Sequence, residues 1–160
     1  ESATGDHPIK VVNTMAKIAR YNESLEADLS LEQSANSFEE IIIEASVQFS
    51  RQKPGDGEGV KGYVVFTESG KSARVLSRFR SPLPVYAFSR HENSVNKLSL
   101  SYGVRSFTLD LGRNPVENTR AAIKTLMDRK LIFTGDRLIV IFGNNIGVPE
   151  SNNTLSIIEV

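Results

Sequence analysis

The sequence has no cysteine, no tryptophan and no net charge. Without cysteine there can be no disulfide, no thiolate nucleophile and no cysteine-ligated metal. The 19 basic and 19 acidic residues balance. The chain as a whole therefore has no electrostatic pull toward nucleic acid or anionic membranes, and any charged ligand must be held by a local site. Long apolar runs are missing too. A run such as Leu138–Phe142 is far short of the roughly 20 residues that a membrane helix needs. The two histidines, His7 and His91, are too far apart to form a paired zinc motif. These absences leave a globular chain of 160 residues, 39% of them hydrophobic, enough to bury a core of ordinary size. No metal site and no nucleic-acid or membrane partner is expected. With no signal peptide at the start, the expected location is cytoplasmic. The chain opens Glu1-Ser2-Ala3 without Met, as a fragment would.

Apolar periodicity supplies the elements. Ile9, Val12, Met15, Ala16 and Ala19 recur at helical spacing after Pro8, predicting a helix over 8–22. Ser37 and Glu40 form a capping box. The helix that follows places Phe38, Ile41, Ile42, Ala45 and Phe49 on one apolar stripe and reads Glu39-Glu40 as a solvated face. The run Lys53-Pro54-Gly55-Asp56-Gly57-Glu58-Gly59 breaks it. Strands at 63–66, 85–88, 104–109 and 138–142 then alternate with helices at 72–79, 94–101 and 115–129. Continuously apolar strands alternating with helices predict a parallel sheet covered on both faces. The last two strands, 138–142 and 155–160, are joined by the loop 143–153 with no helix, so they must run antiparallel. The expected fold is an α/β three-layer α/β/α sandwich with a mixed five-stranded sheet and an antiparallel last strand.

One segment has the makings of a binding site. The first strand ends in Thr67-Glu68-Ser69-Gly70-Lys71-Ser72-Ala73 and then becomes a helix. In open α/β sheets, ligands bind at the carboxyl ends of strands. Gly70 allows close backbone approach, and the free N–H groups of a helix start favour an anion. Thr67, Ser69 and Ser72 add hydroxyls, and Lys71 adds a cation. A phosphate suits this turn; a simple helix cap by Thr67 or Ser69 is the plainer reading. Gly70-Lys71-Ser72 is not the end of a Walker loop, because Val65 stands where that motif needs glycine.

A set of short segments stands in order along the chain: Glu1 through Pro8 followed by Met15-Ala16-Lys17-Ile18-Ala19-Arg20, the turn Thr67–Ala73, the run Arg80–Arg90, Tyr102-Gly103-Val104, Gly135-Asp136 and Asn153-Thr154. In their order and spacing these residues resemble the C-terminal domain of pyruvate kinases, along essentially the whole length of the chain. The resemblance implies that residues 1–22 are the end of a catalytic barrel and that 23–160 form a regulatory domain. It implies that Thr67, Glu68, Ser69, Gly70, Lys71 and Ser72 bind the phosphate of an allosteric effector. The loop residues Gly143, Asn144, Asn145, Ile146, Gly147, Asn152 and Asn153 would close over that effector. The last strand would pair with its mate across a two-fold axis.

The same resemblance implies a parent enzyme that transfers phosphate from phosphoenolpyruvate to ADP, using Mg²⁺ and K⁺ held by the barrel. The parent would be a tetramer. This chain, which could dimerise, would be inactive alone, with no catalytic residue, cofactor or metal of its own. Some positions depart from the family. Ser2 replaces the usual Thr, and Asn118 falls where bisphosphate-binding members carry Arg. No Trp is present for a second phosphate, and Glu150 in the loop would repel one. A sugar phosphate or a nucleotide monophosphate therefore both stand as effectors. The alternative is a stand-alone phosphosugar-binding or dimerisation module. Elsewhere, His91 is expected to cap or solvate a helix start, and Asp136 and Arg137 to shape a turn. No paired carboxylates and no nucleophile with a base mark an independent active site.

Overall fold

In a computed structural model of the chain, residues 2, 4–25, 37–52, 59–143 and 152–160 are described. The chain divides into two compact units, Glu1–Glu32 and Gln33–Val160. The first unit is built on helix α1, Pro8–Leu25, with Pro8 starting it where a missing N–H costs nothing. Ile9, Val12, Met15 and Ile18 on this helix are exposed.

The second unit contains α2 (Phe38–Ser50), β1 (Gly62–Phe66), α3 (Lys71–Arg78), β2 (Val85–Ser89), α4 (Glu92–Leu98), β3 (Val104–Thr108), α5 (Pro115–Asp128), β4 (Arg137–Gly143) and β5 (Asn152–Glu159). The strands form one five-stranded sheet in the order β3-β2-β1-β4-β5. β1 pairs in parallel with β2 and β4, and β2 with β3. β4 and β5 are antiparallel, as a connection without a crossover helix requires.

The strands are apolar on both faces because both faces are covered. From β1, Val64 and Phe66 join Tyr86, Phe88, Leu138 and Val140 in a cluster with Ala122 and Leu126 of α5. Tyr63 and Val65 join Ile139 and Ile141 in a second cluster with Ile43 and Val47 of α2 and Val75 and Leu76 of α3. Helices thus lie on both sides of the sheet, which makes three layers.

The phase of α2 is not the expected one. Its buried residues are Glu39, Ile43, Ser46 and Val47, spaced at i, i+4, i+7 and i+8. Phe38, Ile41 and Phe49 of the expected stripe are exposed, and Ala45 is exposed as well. Glu39 is correspondingly not part of a solvated face: it is 3% exposed. The physical reason lies in composition. This helix carries apolar residues on two opposite sides, the stripe of Phe38, Ile41, Ile42, Ala45 and Phe49 and the pair Ile43 and Val47, so an apolar stripe alone does not decide which side is buried. The sheet selects Ile43 and Val47. The Ser37 cap is present, its hydroxyl accepting the Glu40 N–H at 3.3 Å.

Strand order reverses at β1, whose neighbours β2 and β4 lie on opposite sides. That is the topological switch point of an open sheet, where ligand crevices form. Val65 pairs with Phe88's neighbour Ala87 on one side and with Ile141 on the other. The turn after β1 and the end of β4 at Gly143 therefore open at the same end of the sheet.

Candidate functional site

The turn after β1 is set by one backbone conformation. Gly70 has φ +80°, in the left-handed region, and immediately precedes α3. A Cβ there would meet Arg74 Nη1 at 3.1 Å and Leu98 Cγ at 3.2 Å. Glycine meets both the conformational and the steric demand.

Side chains around the turn partly satisfy its amides. Thr67 Oγ1 accepts the Gly70 N–H at 3.0 Å, and Ser69 Oγ accepts the Lys71 N–H at 3.4 Å. Arg74 Nη1 donates to the Ser69 carbonyl at 3.1 Å. The first intrahelical bond runs from Arg74 N–H to Gly70 C=O. The amides of Ser72 and Ala73 precede it, and helix geometry provides them no carbonyl within the helix. Thr67 and Ser69 thus hold the Gly70 and Lys71 amides, although the N-cap residue itself, Gly70, offers no side-chain cap.

Glu68 is turned to another task. Its carboxylate pairs with Arg90 Nη2 at 2.8 Å and His91 Nε2 at 2.8 Å. Its carbonyl accepts the Ser94 hydroxyl at 2.7 Å. His91 occupies the N-cap position of α4 but makes no cap with its side chain; the ring binds Glu68 instead. This set joins the turn after β1 to the turn after β2 and engages the negative charge of Glu68 with two partners.

Ser72 lies at the centre of a buried polar network that links four elements. Its hydroxyl donates to Glu39 Oε1 of α2. It also accepts from Asn152 Nδ2 at 2.7 Å, at the start of β5. The same Asn152 nitrogen donates to the Phe66 carbonyl at 3.0 Å, at the end of β1. Glu39, Ser72 and Asn152 are all buried.

A β-bulge aims Asn152 inward. Phe142 pairs with Thr154, whereas Gly143 pairs with Asn152, so the register shifts by one residue at Asn153. Leu155 packs on the α2–α3 side of the sheet. Strict alternation would put Asn153 on that side; the bulge puts Asn152 there instead. Asn153 is exposed and accepts the Thr154 hydroxyl at 3.0 Å.

The expected site residues are thus distributed as follows. Thr67, Glu68, Ser69, Gly70, Lys71 and Ser72 form one turn, with the Glu68 side chain engaged by Arg90 and His91. Gly143 closes β4, and Asn152 reaches the turn through Ser72. Asn144, Asn145, Ile146 and Gly147 lie outside the described residues. Among the described residues, no group of acidic or histidine side chains could hold a metal ion. No described helix is long and apolar enough to cross a membrane.

Sequence reading missed Glu39 and assigned no task to Asn118. The spacing of Glu39 one and two turns from Ile43 and Val47 is the local signal that places it on the buried side. Asn118 is buried at the start of α5, donating to the Gly112 carbonyl at 2.9 Å and accepting the Gly112 N–H at 2.9 Å. It clamps the loop before α5. Asp136 accepts the Phe133 N–H at 2.7 Å, the turn-shaping role expected of it.

A model of the family described as "Pyruvate kinase, alpha/beta domain" matches residues 40–158. The chain is 31% identical over 160 residues to pyruvate kinase of Buchnera aphidicola subsp. Schizaphis graminum, covering all of this chain and 33% of that protein. It is 30% identical over 161 residues to pyruvate kinase II of Salmonella typhimurium, again covering 100% of this chain and 33% of the relative. Pyruvate kinase of Dictyostelium discoideum is 26% identical over 174 residues, with 32% of its length covered. The chain spans about a third of the length of these relatives.

Proposed function

This chain belongs to the pyruvate kinase alpha/beta domain family, and from that premise we propose that it is the regulatory and oligomerisation domain of a pyruvate kinase. The parent enzyme transfers phosphate from phosphoenolpyruvate to ADP, with Mg²⁺ and K⁺ bound outside this domain, in the cytoplasm. This chain contributes no catalytic group. It receives a phosphorylated small molecule, a sugar phosphate or a nucleotide monophosphate, at Thr67, Ser69, Gly70, Lys71 and Ser72.

The observation that carries the reading is the left-handed Gly70 turn at the switch point of the sheet, followed by an α3 start whose Ser72 and Ala73 amides precede the first intrahelical bond. An anion there gains from the helix dipole and from donors already in place. The Ser72–Asn152 bond gives that event a route to β5. β5 is an edge strand, and edge strands offer unpaired backbone groups to a second copy. Binding shifts the assembly only to the extent that the effector prefers one arrangement over the other. The exposed apolar residues of α1 support the assignment of residues 1–22 to the edge of a barrel.

Calorimetric titration with fructose 1,6-bisphosphate, ribose 5-phosphate, glucose 6-phosphate and AMP tests this reading. Binding of one of them that the Ser69→Ala, Ser72→Ala double variant abolishes is the expected result. No heat from any of the four would leave the turn a helix cap and the domain an assembly module.

A further inference from the structure

Glu39 is buried on the first turn of α2, yet only one of its carboxylate oxygens is engaged. Oε1 accepts the Ser72 hydroxyl, while Oε2 is buried with no hydrogen-bond partner. A buried carboxylate held by one neutral hydroxyl is a costly arrangement. A serine has one proton to donate. Here that proton goes to Glu39, because the Asn152 contact uses Ser72 as an acceptor. An anion at the α3 start would need the same proton and would meet a second negative charge across the same hydroxyl.

We propose that Glu39 is a resident anion that occupies the Ser72 donor and sets the affinity of the turn for phosphate-bearing ligands, an inference that rests on the binding role assigned to that turn above. An incoming phosphate group takes the Ser72 proton only when Glu39 lets it go. Glu39 belongs to α2, and Ser72 also holds Asn152 at the start of β5. Displacement therefore reaches both elements at once: α2 loses its buried tie, and the Asn152 amide loses or reorients one of its two acceptors. Glu39 is a positioning residue, acting on the ligand through Ser72.

The test is NMR titration of the full chain with inorganic phosphate, following the backbone amides of residues 69–73 and the Asn152 side-chain amide. Wild type, Glu39→Gln and Glu39→Ala are compared. Gln keeps the acceptor oxygen for Ser72 and removes the charge. It is expected to bind phosphate about tenfold more tightly or better, with the Asn152 amide shifting on binding. Ala frees the Ser72 proton and is expected to bind at least as tightly as wild type. A residue that merely supported the turn would weaken binding when replaced, so the sign of the change discriminates. Wild-type binding that neither variant strengthens would overturn the role of Glu39 and leave the turn's function standing. Failure of all three proteins to respond would overturn both readings. Response by the variants alone would establish both.

Discussion

Asn152 donates a 2.7 Å hydrogen bond to the Ser72 hydroxyl across 80 positions of sequence. The contact fastens the first residue of β5 to the first turn of α3. With its second hydrogen Asn152 also donates to the Phe66 carbonyl at 3.0 Å. One buried amide thus holds the end of β1, the start of α3 and the start of β5 together. A group in that position connects the candidate ligand turn to the strand at the edge of the sheet.

Replacing Asn152 with Ala leaves the Phe66 carbonyl without this donor and removes one partner of Ser72. Chemical denaturation is expected to show a loss of about 1–3 kcal/mol. Asn152→Asp places a second carboxylate beside Glu39 through Ser72 and is expected to cost more than Ala. A neutral Asn152→Ala variant would mean that the network carries no net stability.

Gly70→Ala is expected to destabilise the chain by about 1–3 kcal/mol, combining the left-handed backbone cost with crowding against Arg74 and Leu98. Thermal melting measures the stability loss. Phosphate titration of the same variant is expected to show weakened binding, because the backbone can no longer turn closely.

The observed phase of α2 separates two neighbouring isoleucines. Ile43 is fully buried and Ile41 is 49% exposed. Ile43→Ala is expected to cost about 2–5 kcal/mol, and Ile41→Ala less than about 1 kcal/mol. Paired denaturant midpoints check this. Equal losses would contradict the packing of α2 on the sheet.

Tyr86 supplies a pH dependence with a defined sign. Burial pushes its phenol above the ordinary tyrosine value, with Arg105 opposing and Asp136 reinforcing. Its hydroxyl donates to the Leu131 carbonyl at 3.2 Å. The folded state therefore holds the proton to higher pH than the unfolded chain does. This stabilisation is complete below about pH 10 and is lost as pH rises through the raised folded value. Unfolding free energy measured between neutral pH and strongly alkaline solution is expected to fall across that window. Tyr86→Phe is expected to be slightly less stable at neutral pH and to show a flatter alkaline decline.

The order of elements, the antiparallel last strand and the turn at Thr67–Ser72 were legible in the sequence. Each rests on a local signal: a run of apolar strand residues, a connection too short for a crossover, a glycine between small polar residues at a strand end. Boundaries moved by a few residues. The last strand begins at Asn152 rather than Leu155, because pairing across the Asn153 bulge extends a ladder that apolar pattern alone does not mark.

The face of α2 and everything that depends on it were decided by tertiary structure. Phe38, Ile41, Ile42, Ala45 and Phe49 lie on one side of that helix and Ile43 and Val47 on the opposite side, so its sequence admits more than one buried side. Contact with Tyr63, Val65, Ile139 and Ile141 selects the side bearing Ile43 and Val47. Glu39 lies one helical turn before Ile43 on that side, so the same choice buries its carboxylate and brings it to Ser72. Asn152 reaches the same hydroxyl only because a bulge turns it inward. Local sequence specifies periodicity and turns; it does not encode which of several apolar surfaces meets the sheet, or which distant polar groups then share one hydroxyl.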